Sequence, residues 1–146
     1  MGAERLADAD AVSELILRLG QSDLVEAEFG AGVVSGEIEA PWPHITVGPS
    51  GAGDLRGMVG GSMVTGVLLE FVSPLDGTVG PAALWKKAMK VIAEVCGYGE
   101  DTAEQDPVRP VICYVQPAGY LTEQPLASGQ YRVSQAVMVT IAPPQS

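Results

Sequence analysis

The side chains that could do chemistry are few, and each set is missing a part. His44 is the only histidine in the chain. It stands between Pro43 and Ile45 in a short alternating run, and no serine or cysteine lies in a nucleophile motif for it to activate. That pattern reads as a surface or interface histidine. Gly48-Pro49-Ser50-Gly51-Ala52-Gly53 has the glycine content of a phosphate-cradling loop. It lacks the Gly-Lys-Ser/Thr ending and leads to Asp54 instead of into a helix. Glu100, Asp101, Glu104 and Asp106 crowd one segment without the spacing of a calcium loop or its closing glutamate, so they read as a solvated loop. Cys96 and Cys113, the two cysteines, each lie in an apolar run and read as small buried hydrophobes. A disulfide between them has no motive in the pattern, and two thiols without further ligands make no zinc site. Lys86, Lys87 and Lys90 are all the lysines there are. They form either a solvated helix face with a Lys90–Glu94 pair or a basic patch for an acidic neighbour, including another copy of the chain. None of these sets specifies catalysis, a cofactor or a metal.

The elements that would position them centre on residues 63–96. Met63, Thr65, Val67, Leu69 and Phe71 alternate on one side of a run whose other side holds Val64, Leu68 and Val72. Period-two spacing, apolar on both sides and rich in β-branched residues, predicts a central strand over Met63–Val72. Pro74, Asp76 and Gly77 end it with turn chemistry. From Pro81 the period becomes helical. Leu84, Ala88, Val91 and Val95, with Trp85, Met89, Ile92 and Cys96, predict a broad apolar face opposite the lysines. Pro81 suits a first turn, where its missing N–H costs nothing, and Gly97 suits the stop.

Around this nucleus, Asp8 or Asp10 caps a first helix through Leu19, ended by Gly20. Gln21–Gly32 is polar and reads as a loop or a weak strand around Val25. Val33–Glu39 alternates as a half-exposed strand, Pro41-Trp42-Pro43 turns, and His44–Val47 is a short strand. Gly48–Gly61 is a long glycine-rich segment. Tyr98–Pro110 is an acidic loop, Val111–Gln116 a strand, Pro117–Gln130 a second long loop, and Tyr131–Ile141 the clearest strand. The expectation is a single α+β domain over residues 1–146. Its mixed, mostly antiparallel sheet carries two helices in the order α-β-β-β-α-β-β, and its long loops suit a body that makes contacts.

Composition narrows the partners. The chain has 146 residues, 47% of them hydrophobic, which suits one packed core. Net charge is −10, from 18 acids and 8 bases, so the basic footprint of a nucleic-acid reader is missing. No apolar run approaches the ~20 residues of a membrane-spanning helix. MGAERLADAD lacks the regions of a signal peptide, and Leu6 stands where a myristoylation motif wants Ser or Thr. These features lead us to expect a soluble protein made and kept in a cytosol.

Pro41–Leu55 (PWPHITVGPSGAGDL) resembles the Pro-aromatic-Pro, strand, glycine loop and Asp-Leu of tail terminator proteins of long-tailed bacteriophages, most closely those of actinobacterial phages. Further pieces follow in the family's order. They are Val67–Phe71 (VLLEF), Asp76-Gly77-Thr78, Gly80 before the helix, Gly129–Arg132 (GQYR) and Pro143–Gln145. The resemblance covers Pro41 to the C-terminus, while the first 40 residues are similar only in carrying a helix. Pro81 stands where the family has a basic residue, and Ser73 where it has a turn glycine or aspartate.

The resemblance implies a structural virion protein without catalytic residues or cofactor. It would form a homohexameric ring on the head-proximal end of the tail tube, stop tube polymerisation, and meet the head-tail connector or stopper protein. DNA would pass through the lumen without sequence-specific binding. That places the protein at the virion neck, and in the host cytoplasm during assembly. The residues expected at assembly interfaces are Trp42, His44, Asp54, Leu55 and Arg56 in the matching stretch. With them go Lys86, Lys87 and Lys90 on the helix, and Tyr131 and Arg132 at the start of the last strand. Two other readings stay open. One is a different neck or tail-tube component; the other is a small ligand-binding or enzymatic domain with its pocket at Gly48–Gly61.

Overall fold

The computed structural model describes residues 10–36, 44–49, 56–59, 62–99 and 110–143, with 56–59 described by backbone alone. Its centre is the expected strand, here β4 (Ser62–Val72). Both edges of β4 are paired. One bonds antiparallel to β6 (Tyr131–Ala142) along its length, from Met63↔Ile141 to Val72↔Arg132. The other takes two strands end to end: β2 (His44–Pro49) opposite Val67–Val72, and β3 (Arg56–Val59) opposite Ser62–Thr65. β1 (Val34–Ser35) lies parallel to β2, and β5 (Val111–Pro125) antiparallel to β6. The sheet order is β1-β2-β4-β6-β5, with β3 beside β4. The expected α+β class and mixed, mostly antiparallel sheet are what the chain forms.

Register explains where the core sits. Ile45, Phe71 and Val133 align across the sheet, as do Val47 and Leu69, and Val67 and Val137. Side chains on a strand alternate, so these share one face. They are fully buried in one cluster with residues of the three helices. The helices therefore cover that face. α1 (Ala11–Gly20) contributes Leu15 and Leu19, and is capped by Asp10, whose carboxylate accepts from Ser13 N at 3.2 Å. α3 (Pro81–Cys96) begins with Pro81 as expected and contributes Leu84, Ala88, Val91 and Val95.

Besides β3, a strand inside the expected Gly48–Gly61 loop, four expectations differ from the structure. Gln21–Gly32 holds a helix, α2 (Asp23–Phe29), capped by the Ser22 hydroxyl. Two turns leave room for only Val25 and Phe29 to be buried, too little to show a period, and the Phe29 ring rests 5.7 Å from Phe71. There are thus three helices among the described residues, not two. Second, Pro117–Gln130 is largely strand: β5 runs on to Pro125 before a short turn into β6. Proline is tolerated there because β5 is an outer strand, and Gly119, at φ +83°, sits in a bulge between Ala118 and Thr122. Third, Trp85 and Met89 are 39% and 46% exposed instead of sharing the core face. Fourth, Cys113 is exposed and Cys96 half-buried, both as free thiols. Cys113 is the extra residue of a bulge between Ile112 and Tyr114, which leaves it outside the core that Ile112 enters.

Candidate assembly interface

Asp76-Gly77-Thr78 and Gly129–Arg132 meet at one end of the sheet, whereas Pro143 follows β6 at the other. β4 ends in a turn in which the Asp76 carboxylate accepts from Thr78 N at 3.0 Å and Thr78 Oγ1 at 2.7 Å, while Gly77 takes φ +75°. These bonds hold the Asp76 carboxyl below its usual range, the Thr78 amide being the larger cause. Gln130, which is buried, donates from Nε2 to the Ser73 carbonyl at 2.9 Å. The Ser73 hydroxyl accepts from Tyr131 N at 2.9 Å, and Ser73 N donates to the Tyr131 carbonyl at 3.0 Å. Ser73 thus ties the end of β4 to the start of β6.

Arg132 lies on the face away from the helices, in register with Val72 and Gln124. It donates to Gln124 Oε1 at 2.8 Å and pairs with Glu70 at 3.3 Å. His44 is in register with Val72 on that same face, yet only 2% exposed, so within the subunit it is a buried residue and not a surface one. Thr46, two residues on, is also buried. Its Oγ1 and Arg132 Nε have no hydrogen-bond partner among the described residues. Tyr131 is half-buried.

The lysines behave differently from one another. Lys87 donates to the Glu28 carbonyl at 2.9 Å and pairs with its carboxylate at 3.2 Å, while Lys90 reaches the other carboxylate oxygen at 2.8 Å. Bonding first to Lys90 and then to Lys87 holds the Glu28 carboxyl below its usual range. Two of the three lysines thus clasp α2 to α3 inside one subunit. Lys86 is exposed with no ion pair among the described residues. Arg56 opens β3. Trp42, Asp54 and Leu55 lie outside the described residues, as do the acids at 100–106 and most of the Gly48–Gly61 segment.

One cluster carries no sequence signal. In the cleft where α1 and α2 meet the end of α3, a cavity of about 450 Å³ is lined by Arg18, Ser22, Glu94 and Tyr98 among others. The Glu94 carboxylate accepts from Ser22 Oγ at 2.7 and 2.9 Å and from Tyr98 OH at 2.8 Å. The Arg18 guanidinium lies 5.5 Å over the Tyr98 ring and pairs with Glu14 at 3.0 Å. Burial first, and the Glu94 carboxylate second, push the Tyr98 phenol well above its ordinary value. A phenol so held is no base at neutral pH, and the carboxylate is engaged by two donors. The cluster joins three helices; 72 positions separate Ser22 from Glu94, beyond the reach of any local pattern. Among the described residues, no group of three or more His, Cys, Asp or Glu side chains could hold a metal, and no helix is long and apolar enough to cross a membrane.

What these elements define is an α+β fold whose sheet has one helix-covered face. No family model matches the sequence, and no curated protein matches it. The fold is similar to that of a chain in the virion of a native gene transfer agent (GTA) particle. The TM-score is 0.61, covering 93% of this chain and 96% of that one, at 16% identity. Likeness at that identity is one of fold.

Proposed function

We propose that this chain, as one terminator-like domain over residues 1–146, is a structural virion protein of a phage-like particle. Its role is that of a tail terminator. Copies form a ring, with six as the expected number, on the head-proximal end of the tail tube. The ring stops tube growth and presents a new face to the head-tail connector or stopper. The observation that supports this most is the fold likeness to a virion chain over nearly the whole of both chains. It agrees with the order of the motifs from Pro41 to Gln145, which sequence alone had connected to such proteins. A terminator needs two dissimilar faces and an open lumen that does not hold DNA. A net charge of −10 suits a channel that repels phosphates.

The test is electron microscopy of lysates from particles lacking this chain. The expected result is filled heads without tails, beside tails of irregular and often excessive length. Tails of normal length that are merely unjoined would instead assign the chain to a stopper or connector.

A further inference from the structure

Glu94 stands where helix electrostatics disfavours an anion. It falls in the last turn of α3, at the negative end of the helix dipole, and that turn holds no basic residue. α1 follows the opposite, favourable pattern, with Arg18 in its last turn. Both helices end at the cavity of about 450 Å³. Arg18 and Gln21 line it from the end of α1, and Ala93, Glu94, Gly97 and Tyr98 from the end of α3.

The charge of Glu94 is also uncompensated. Its carboxylate accepts from two hydroxyls, Ser22 Oγ and Tyr98 OH, and no cation among the described residues pairs with it. Lys90, one turn earlier on the same helix, is drawn to Glu28 at 2.8 Å instead. Arg18 lies over the Tyr98 ring but pairs with Glu14 at 3.0 Å, so those two charges offset each other. Ser22 and Tyr98 need an acceptor at this point, which the oxygen of a glutamine would also supply. What a carboxylate adds is charge, and two hydroxyls leave some of its roughly four acceptor positions open to further donors.

We propose that the cavity receives a basic side chain, arginine or lysine, from a partner protein, with its cationic head bonded to the Glu94 carboxylate. The methylene stem of such a side chain can lie along Ala93 and Gly97 while the head reaches Glu94. Charge complementarity makes a basic partner the occupant. This chain carries a net charge of −10, so a contact at an unpaired carboxylate gains from a cation supplied by the other side. A bare metal ion fits less well, because no group of three or more His, Cys, Asp or Glu side chains converges among the described residues. Nothing in this pairing depends on the terminator role.

The test is a titration of the isotope-labelled, full-length protein with a blocked Gly-Gly-Arg-Gly-Gly peptide, followed by NMR. The amides of Ser22, Gly97 and Tyr98 should shift and saturate, and the affinity should fall as salt is raised. The same peptide with glutamine in place of arginine should move none of them. Glu94→Gln keeps an acceptor for both hydroxyls, so its circular dichroism should match the wild type. Its affinity for the arginine peptide should fall about tenfold or more, the equivalent of one charge-assisted hydrogen bond. If Glu94→Gln misfolds, Ala93→Arg replaces it. That position is exposed on the cavity wall, and its own guanidinium should fill the site and abolish the shifts. A wild-type protein without saturable shifts at these amides overturns the proposal, as does a Glu94→Gln protein that binds equally well. Spermidine is the remaining arm. If it binds more tightly than the arginine peptide and is lost in Glu94→Gln, the cavity belongs to a free polyamine and the partner contact is overturned. None of these readings involves a tail, so they can fail with the terminator role intact.

Discussion

Glu94 ties the end of α3 to the cap of α2, and replacing it should loosen that junction. Its carboxylate takes hydrogen bonds from Ser22 Oγ, which also caps α2, and from Tyr98 OH beyond the end of α3. A hydrogen bond to a charged acceptor contributes roughly 1.5–3 kcal/mol. Glu94 is half-buried, which places each bond at the low end, so Glu94→Ala should cost about 2–3 kcal/mol. That is a large part of the roughly 5–15 kcal/mol that holds a domain folded. Urea unfolding at neutral pH measures it, as a lower midpoint at unchanged slope. Ser22→Ala alone should cost about 1 kcal/mol through the cap. The double variant should cost less than the sum, because the two residues share a bond. Tyr98 gives a second reading. In the folded chain its phenol keeps its proton above the ordinary value of about 10, whereas the unfolded chain ionises there. Stability is therefore unaffected below that pH and falls as pH rises beyond it. With Glu94→Gln the carboxylate's share of the shift disappears while burial remains. Tyr98 should then titrate lower than in the wild type but still above an exposed tyrosine. A Glu94→Ala protein within 0.5 kcal/mol of wild type, or a Tyr98 titration unmoved by Glu94→Gln, would refute this account.

Val91→Asp should abolish folding, since Val91 of α3 is fully buried and an unpaired buried charge costs several kcal/mol. A soluble variant with a wild-type circular dichroism spectrum would contradict the packing. The α2–α3 clasp should weaken in acid. The Glu28 carboxyl is held below the usual 4.5 by Lys90 and Lys87, so its contribution is present above that value and is lost as pH falls through the lowered one. Its titration followed by NMR should move back up in Lys90→Met.

The fold was legible where one period persists and is bounded by punctuation. Pro81 to Cys96 and Tyr131 to Ala142 each satisfy that, and their expected limits hold to within a residue. α2 was not legible because two buried residues four apart set no period over seven positions. β5 was misread because Pro117, Gly119 and Pro125 are turn residues in most settings; only its place at the sheet margin makes them acceptable in a strand. For α3 the broad apolar face was read correctly as apolar and wrongly as buried. A helix on a flat sheet can bury only part of its circumference, and the sequence does not state where the sheet stops. Ser73, Gln130 and Tyr131 illustrate another limit. Their bonds join residues 57 and 58 positions apart, so the turn they stabilise showed only as motif fragments.

The same distinction bears on charge. Among the described residues, Arg18 is bound to Glu14, Lys87 and Lys90 to Glu28, and Arg132 to Glu70. Four of the eight cations are thus paired within the chain, Lys87, Lys90 and Arg132 each joining one element to another and Arg18 staying within α1. Lys86 then stands out because it lies beside the exposed Trp85 and not in a clasp. In a ring of the proposed kind, an excess of acids over cations on the lumen wall would let DNA pass without adhesion. Phosphates would meet a repelling wall whose range is set by salt, about 8 Å at physiological ionic strength.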